Sequence, residues 1–151
     1  MLQLRKQDIV RDEETWFIRI APDAGTVKTG QFRLVPTHQD LIDQGLLRFV
    51  DGSKGGYLFL SATSADEAQK RAKPLQNRLQ RWVRTVVSDA RLAPNHGRRH
   101  TFKARAQEAE LSDTNADAIC GHAPKTTGDH YPAATAKARA NFMMKFPRYE
   151  A

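Results

Sequence analysis

The sequence predicts an α+β fold, mainly α: a small three-stranded antiparallel sheet followed by about five helices. Three observations predict it. "TWFIRI" (15–20) alternates, with Trp16, Ile18 and Ile20 on one face and Phe17 and Arg19 on the other, the period-two signature of a half-buried strand. Turn chemistry at "PDAG" (22–25) and "TG" (29–30) brackets a short strand around residues 27–29 and leads into "FRLVP" (32–36), so a meander is the simplest reading. From His38 onward the apolar residues recur at helical spacing, separated by glycine and proline stops.

The helical elements follow in order. "HQDLIDQGLLRFV" carries Leu41, Ile42, Leu46, Phe49 and Val50 and is interrupted by Gly45. "DGSKGGYLFL" (51–60) reads as a loop with a short extended piece; it lacks the GxxxxGK[ST] order of a phosphate loop. "SATSADEAQKRAK" (61–73) has helix-starting residues, and Pro74 is expected to precede a separate periodic helix striped by Leu75, Leu79, Trp82, Val83, Val86 and Val87. Asn95 can cap a helix that buries Phe102 and Ala106. Ser112 or Asp113 can cap a short helix holding Ala116 and Ile119, and Pro132 suits the first position of a last helix running through Phe142, Met143 and Phe146.

A chain of 151 residues is one domain's worth and can bury a real core. Its 40% apolar and 27% charged residues are those of an ordinary globular domain rather than a disordered chain. A net charge of +7 favours a polyanionic partner such as nucleic acid or an anionic surface. The single cysteine, Cys120, excludes an intrachain disulfide and fits a reducing compartment. No stretch approaches the roughly 18 apolar residues of a membrane span, and "MLQLRKQDIVRDEE" has no apolar core of a secretory signal, so a cytoplasmic location is the default expectation.

The charge is concentrated. "APNHGRRHTFKARAQEAE" (93–110) holds two histidines and four basic residues with no acid before Glu108. At helical pitch His96, Arg99 and Lys103 share one face, and Arg98, Phe102 and Arg105 another. A second basic locus, "TVKTGQFR", carries Lys28 and Arg33, with no acid between Asp23 and Asp40. A third, "CGHAPKTTGDHY", runs from Cys120 and His122 to Tyr131. Taken singly, each has an ordinary reading: a solvated face, a hairpin lysine, a packing tyrosine. His96 and His100 stand at the i, i+4 spacing of a zinc helix, with His122, His130 and Cys120 as further candidate ligands. Gly97 occupies the place of the glutamate in H-E-x-x-H, however, and Arg98, Arg99, Lys103 and Arg105 would repel a cation. No metal and no cofactor is expected.

Read together, these boxes resemble the catalytic domain of tyrosine recombinases, the phage integrase family. "HGRRHTF" is similar to that family's H-x-x-R-H-T-F box and "CGH" to its G-H box. His122 lies 23 residues after Arg99, and Tyr131 nine further on. "VKTGQFRLVPTH" is similar to the T-K-T-G…R-x-V-P hairpin, and "LRKQDI" (4–9) to the segment leading into the first strand. The resemblance covers essentially the whole chain, 1–151, and implies a partial catalytic domain for site-specific DNA recombination. It implies phosphodiester cleavage and religation through a 3′-phosphotyrosyl intermediate, with Tyr131 as nucleophile. Arg99 and His122 would bind the scissile phosphate, His96 would assist binding and proton transfer, and Lys28 would protonate the leaving group. Arg33, Arg98, Lys103, Arg105 and Lys125 would contact the DNA backbone; Arg98 stands where the family usually has an apolar residue.

The chemistry asks for these residue types independently. Cleaving a phosphodiester without metal needs a nucleophile, fixed cations around the phosphoryl oxygens and an acid for the leaving oxygen. Arginine suits the developing charge because its planar fork holds two oxygens and stays protonated.

The resemblance also implies what is missing. The family's other active-site arginine precedes the segment matching "LQLRKQDI", and Arg5 and Lys6 lie too far along to fill its place. The amino-terminal domain that closes the DNA clamp is missing too. Losing one such donor costs roughly 10²–10³ in rate, so the chain alone is expected to be inactive or nearly so in recombination, as a remnant of a mobile element or prophage or as a piece of a longer protein. The implied partners are double-stranded DNA and, for a full-length protein, further copies in a tetramer on DNA, in the bacterial nucleoid or encoded by a phage, with no membrane. Two alternatives share the residue set: a non-catalytic DNA-binding remnant and a type IB topoisomerase-like nicking-closing enzyme.

Overall fold

Strands β1 (Ile9–Asp12), β2 (Thr15–Ile20) and β3 (Arg33–Pro36) pair in that order as an antiparallel sheet. The computed structural model describes residues 2–25, 30, 32–87, 97–122 and 135–149. Ile9 pairs with Ile18 and Asp12 with Thr15 across one ladder; Phe17 pairs with Pro36 and Ile20 with Arg33 across the other. The meander is therefore three-stranded, but its first strand is Ile9–Asp12, which the sequence reading did not assign. The turn there, Glu13–Glu14, carries no glycine, and Glu13 takes a positive φ of 50°, so the usual hairpin signal was absent. The expected strand around 27–29 lies outside the described residues.

Six α-helices follow among the described residues: α1 (Gln39–Asp43), α2 (Leu46–Asp51), α3 (Ala65–Val86), α4 (Gly97–Glu108), α5 (Asp113–Cys120) and α6 (Ala136–Lys145). Gly45 ends α1 and starts α2 in a left-handed conformation, φ 93°, which explains the interruption seen in the apolar pattern. The glycine-rich loop after α2 pairs with the amino-terminal segment at the Arg5–Tyr57 bridge, where the Lys6 amide donates to the Gly56 carbonyl at 2.9 Å and the Leu58 amide to the Leu4 carbonyl at 2.8 Å.

Helix α3 corrects the reading of residues 61–87. It is one helix of 22 residues with Pro74 inside it. Ser64 caps it by accepting from the Glu67 amide at 3.2 Å, and the Glu67 carboxylate accepts from Thr63 at 2.9 Å, so the first turn is firmly nucleated. Pro74 and Lys70 are both exposed, so water can satisfy the carbonyl that proline leaves without a donor. The apolar stripe of this helix faces outward: Trp82 is 61% and Val86 71% exposed, whereas Val83 is buried.

Two apolar clusters share Val35 of β3. Leu4, Ile9, Ile18 and Val50 form one, with Trp16 and Ile20 packed against it; Phe17, on the opposite face of β2, is only 2% exposed, so the strand is covered on both faces rather than half-buried. Ala106, Ala116, Ile119, Phe142, Met143 and Phe146 form the other, with Phe102 and Leu111 alongside. Helices α5 and α6 both pack on β3 and on each other, and α5 packs on α4. Helix α6 begins after Thr135, whose hydroxyl accepts from the Ala138 amide at 3.1 Å; Pro132, the expected first residue, is outside the described residues.

Candidate phosphate site

The site is built where α4, the end of α5 and the start of β3 meet. Arg99 projects from the first turn of α4 and is exposed, as are its neighbours Arg98 and His100. Helix α5, capped by Ser112, ends in a left-handed Gly121 with φ 73°. The His122 amide bonds back to the Asp117 carbonyl at 2.9 Å, fixing the corner that carries the histidine.

His122 does not stand alone there. Its Nδ1 lies 2.9 Å from Asp117 Oδ1, and the same oxygen accepts from Lys103 Nζ at 2.7 Å. A carboxylate can only accept, so Nδ1 carries the proton and Nε2 is the ring's other hydrogen-bonding edge. Burial alone would push Asp117 up, but the bonds from Lys103 and His122 hold its carboxyl below the ordinary value; Lys103 is correspondingly pushed up by Asp117. Asp117 is a positioning residue that the sequence reading missed, its one signal being a carboxylate five residues before a histidine at a helix end. Asp117→Ala is expected to cost about 1–3 kcal/mol, the worth of hydrogen bonds between charged groups, and to release the ring to a mixture of tautomers. Nitrogen-15 spectra of the His122 ring would read this; an unchanged Nδ1–H signature would refute the assignment.

Cys120 sits at the centre of these charges. Burial pushes its thiol up, while Arg99, Lys103 and Arg33 act in the opposite direction. Arg33 reaches from β3 to lie against Gly121, and a methyl group built on that glycine would collide with its guanidinium. Burial, then the charges of Arg99 and Arg139, disfavour the charged form of Arg33. Cationic groups from β3, α4 and α6 thus share one neighbourhood, next to the Gly121–His122 corner.

Four other basic residues named from the sequence have partners within the fold. Lys103 is held by Asp117. Arg105 donates through Nη2 to the Arg148 carbonyl at 2.7 Å and lies 4.4 Å from the centre of the Tyr149 ring, pinning the carboxy-terminal segment. To reach DNA, both would have to exchange these partners. Arg5 is bound to Asp8 and Asp23, and Lys6 donates to the carbonyls of Asp51 and Ser53. Both are therefore held within the fold. Lys28, His96, Lys125 and Tyr131 lie outside the described residues, as does His130; of the candidate site residues, Arg99, His122, Arg33 and Lys103 are brought to one locus. Among the described residues no three His, Cys, Asp or Glu side chains cluster as metal ligands, and no described helix is long and apolar enough to cross a membrane. No family model, no curated protein and no solved structure matches this chain.

Proposed function

We propose that this chain is part of a DNA strand-transfer site of the tyrosine recombinase kind, acting on a backbone phosphodiester. The observation that supports the reading best is the ordered set H-x-x-R, G-H and tyrosine, taken with the packing of α4 on α5 that brings Arg99 beside the Gly121–His122 corner. In this reading the Tyr131 hydroxyl oxygen attacks phosphorus, and the bond from phosphorus to the 5′ oxygen breaks. The phenol proton passes to His96, and Lys28 gives a proton to the departing 5′ oxygen. Arg99 and His122 hold the non-bridging oxygens as charge builds on them. The phosphotyrosyl bond conserves the energy of the broken linkage, so a second strand's 5′ hydroxyl can reverse the step.

Incubating the chain with a nicked duplex that traps the covalent intermediate tests this. A slow adduct, mapped to Tyr131 by mass spectrometry and lost in Tyr131→Phe, is the expected result, at a rate roughly 10²–10³ below that of a site with both arginines. Duplex binding whose logarithm falls linearly with that of the salt concentration is expected alongside. Duplex binding with no adduct would instead favour the second reading, a non-catalytic DNA-binding module. That reading draws on Arg5 and Lys6 being tied into the fold. Neither binding nor adduct would overturn both.

A further inference from the structure

Helix α6 turns Phe142, Met143 and Phe146 inward, all three buried. Arg139 stands three, four and seven residues before them, on the same stripe. An arginine on a core-facing stripe needs partners, because a buried polar atom without one loses its hydration for nothing. Arg139 is partly buried, and its Nε is buried with no hydrogen-bond partner among the described residues; burial also disfavours its charged form. Arg33 repeats the pattern from the sheet. It too is partly buried, its Nε is likewise buried and unpartnered, and its guanidinium is seated against Gly121.

Helix α6 packs on β3, which brings Arg139 to the sheet that carries Arg33, and the charges of Arg139 and Arg99 both oppose that of Arg33. No carboxylate offsets them among the described residues, since Asp117, which acts on the adjacent Cys120, is shared between Lys103 and His122. Gathering like charges costs free energy, and an anion held by the planar guanidinium forks would offset that cost. Gly121 contributes twice: its positive φ ends α5, and its missing side chain leaves the room that Arg33 fills.

We propose that Arg33 and Arg139 form a phosphate-binding pair beside Arg99, and that the phosphate they hold belongs to the DNA backbone. The pairing stands on the geometry just given; only the identity of the anion rests on the strand-transfer reading. The pair extends the phosphate site from α4 and α5 onto β3 and α6, so the protein grips the backbone from four elements.

Arginine Nε resonances of the full chain, followed by nitrogen-15 spectroscopy, test the pair with two probes: inorganic phosphate and a 16-base-pair duplex. The resonances of Arg33 and Arg139 are expected to move together and saturate with a common midpoint for each probe. Arg139→Gln is expected to weaken phosphate binding read at Arg33 about tenfold, the loss of one charged hydrogen bond. It should also lower the salt slope of duplex binding by about 1. Gly121→Ala should displace Arg33 and abolish its response; because that change also strains a helix end, Arg33→Gln read at Arg139 gives the same answer without it. The pair is overturned if both resonances stay still while exposed arginines shift, or if their midpoints differ. A response to phosphate but not to duplex upholds the pair and overturns its assignment to DNA. A Tyr131 adduct formed with both resonances unmoved leaves the strand-transfer reading standing and removes the pair.

Discussion

Phe146→Ala is expected to destabilise the protein by about 3–5 kcal/mol, the usual cost of emptying a buried aromatic site. Phe146 stacks on Phe102 of α4 with ring centres 4.6 Å apart, lies 6.1 Å from both Phe142 and Tyr149, and meets the His38 ring edge-on at 6.0 Å. Each well-oriented aromatic pair adds about 0.5–1.5 kcal/mol beyond area burial. Its backbone carbonyl accepts from His38 Nε2 at 3.0 Å, while His38 Nδ1 accepts from the Asp40 amide and so caps α1. One residue therefore joins the end of α6 to α4 and to the start of α1. Against a total stability of about 5–15 kcal/mol, the loss should lower the thermal midpoint by about 10 °C or more. A midpoint within two or three degrees of the parent's would refute the packing described here. The change should also loosen the seat of Arg139 relative to Arg99, because the same ring holds their two helices together.

Asp8→Ala is expected to cost a similar amount, about 3–5 kcal/mol, for an electrostatic reason. The Asp8 side chain is fully buried. One carboxylate oxygen takes the Arg5 Nε and amide, both at 2.9 Å; the other takes Arg5 Nη2 at 2.9 Å and Arg19 Nε at 3.1 Å. Asp23 bridges the same two guanidiniums at the surface, at 2.8 and 2.9 Å. Removing Asp8 leaves two partly buried cations facing each other, which is why breaking a buried pair costs more than the pair contributes. Asp8→Asn, which keeps the shape and two acceptor lone pairs, should cost less.

The same network sets the acid response. Burial on its own would push Asp8 up, yet the bonds from Arg5 and Arg19 outweigh it and hold the carboxyl below the usual range. A carboxyl with a depressed folded value contributes stability above its unfolded value of about 3.9 and loses it as the pH falls through the folded value. Asp23 and Asp117 are depressed too and add the same sign. The urea midpoint should therefore stay level from about pH 8 to 5 and drop below about pH 4. The drop should be shallower in Asp8→Ala. A midpoint that already falls between pH 7 and 5 in the parent would contradict this.

Much of the scaffold was legible because it is written in local patterns. The alternation in "TWFIRI" identified β2, though Phe17 on its other face is buried too, Gly45 divided the first helical stretch, and Ser112 capped α5 as its position suggested. Two elements were misread where local rules were outweighed. β1 turns into β2 through glutamates that carry no turn signal, and α3 continues through Pro74 because its capped first turn and exposed surroundings tolerate the missing bond. The candidate site divides in the same way. The resemblance of the ordered boxes named Arg99 and His122, since a motif is a property of sequence order.

By itself, then, the sequence determined the class of fold, the basic character and the ordered boxes that suggest phosphodiester chemistry, because periodicity, charge and spacing are carried by neighbouring residues. Only the tertiary structure decided which basic groups are held by partners within the fold. Lys103 and Arg105 looked equivalent to Arg99 on paper, yet Asp117 holds Lys103 and the Arg148 carbonyl takes the Nη2 of Arg105, whose own Nε is buried and unpartnered among the described residues. Arg33 and Arg139, more than one hundred residues apart in the chain, reach the same corner with buried Nε atoms unpartnered among the described residues. The reason is physical: a side chain's role follows from what lies within hydrogen-bonding reach and how much water is excluded, and both are set by contacts between distant segments.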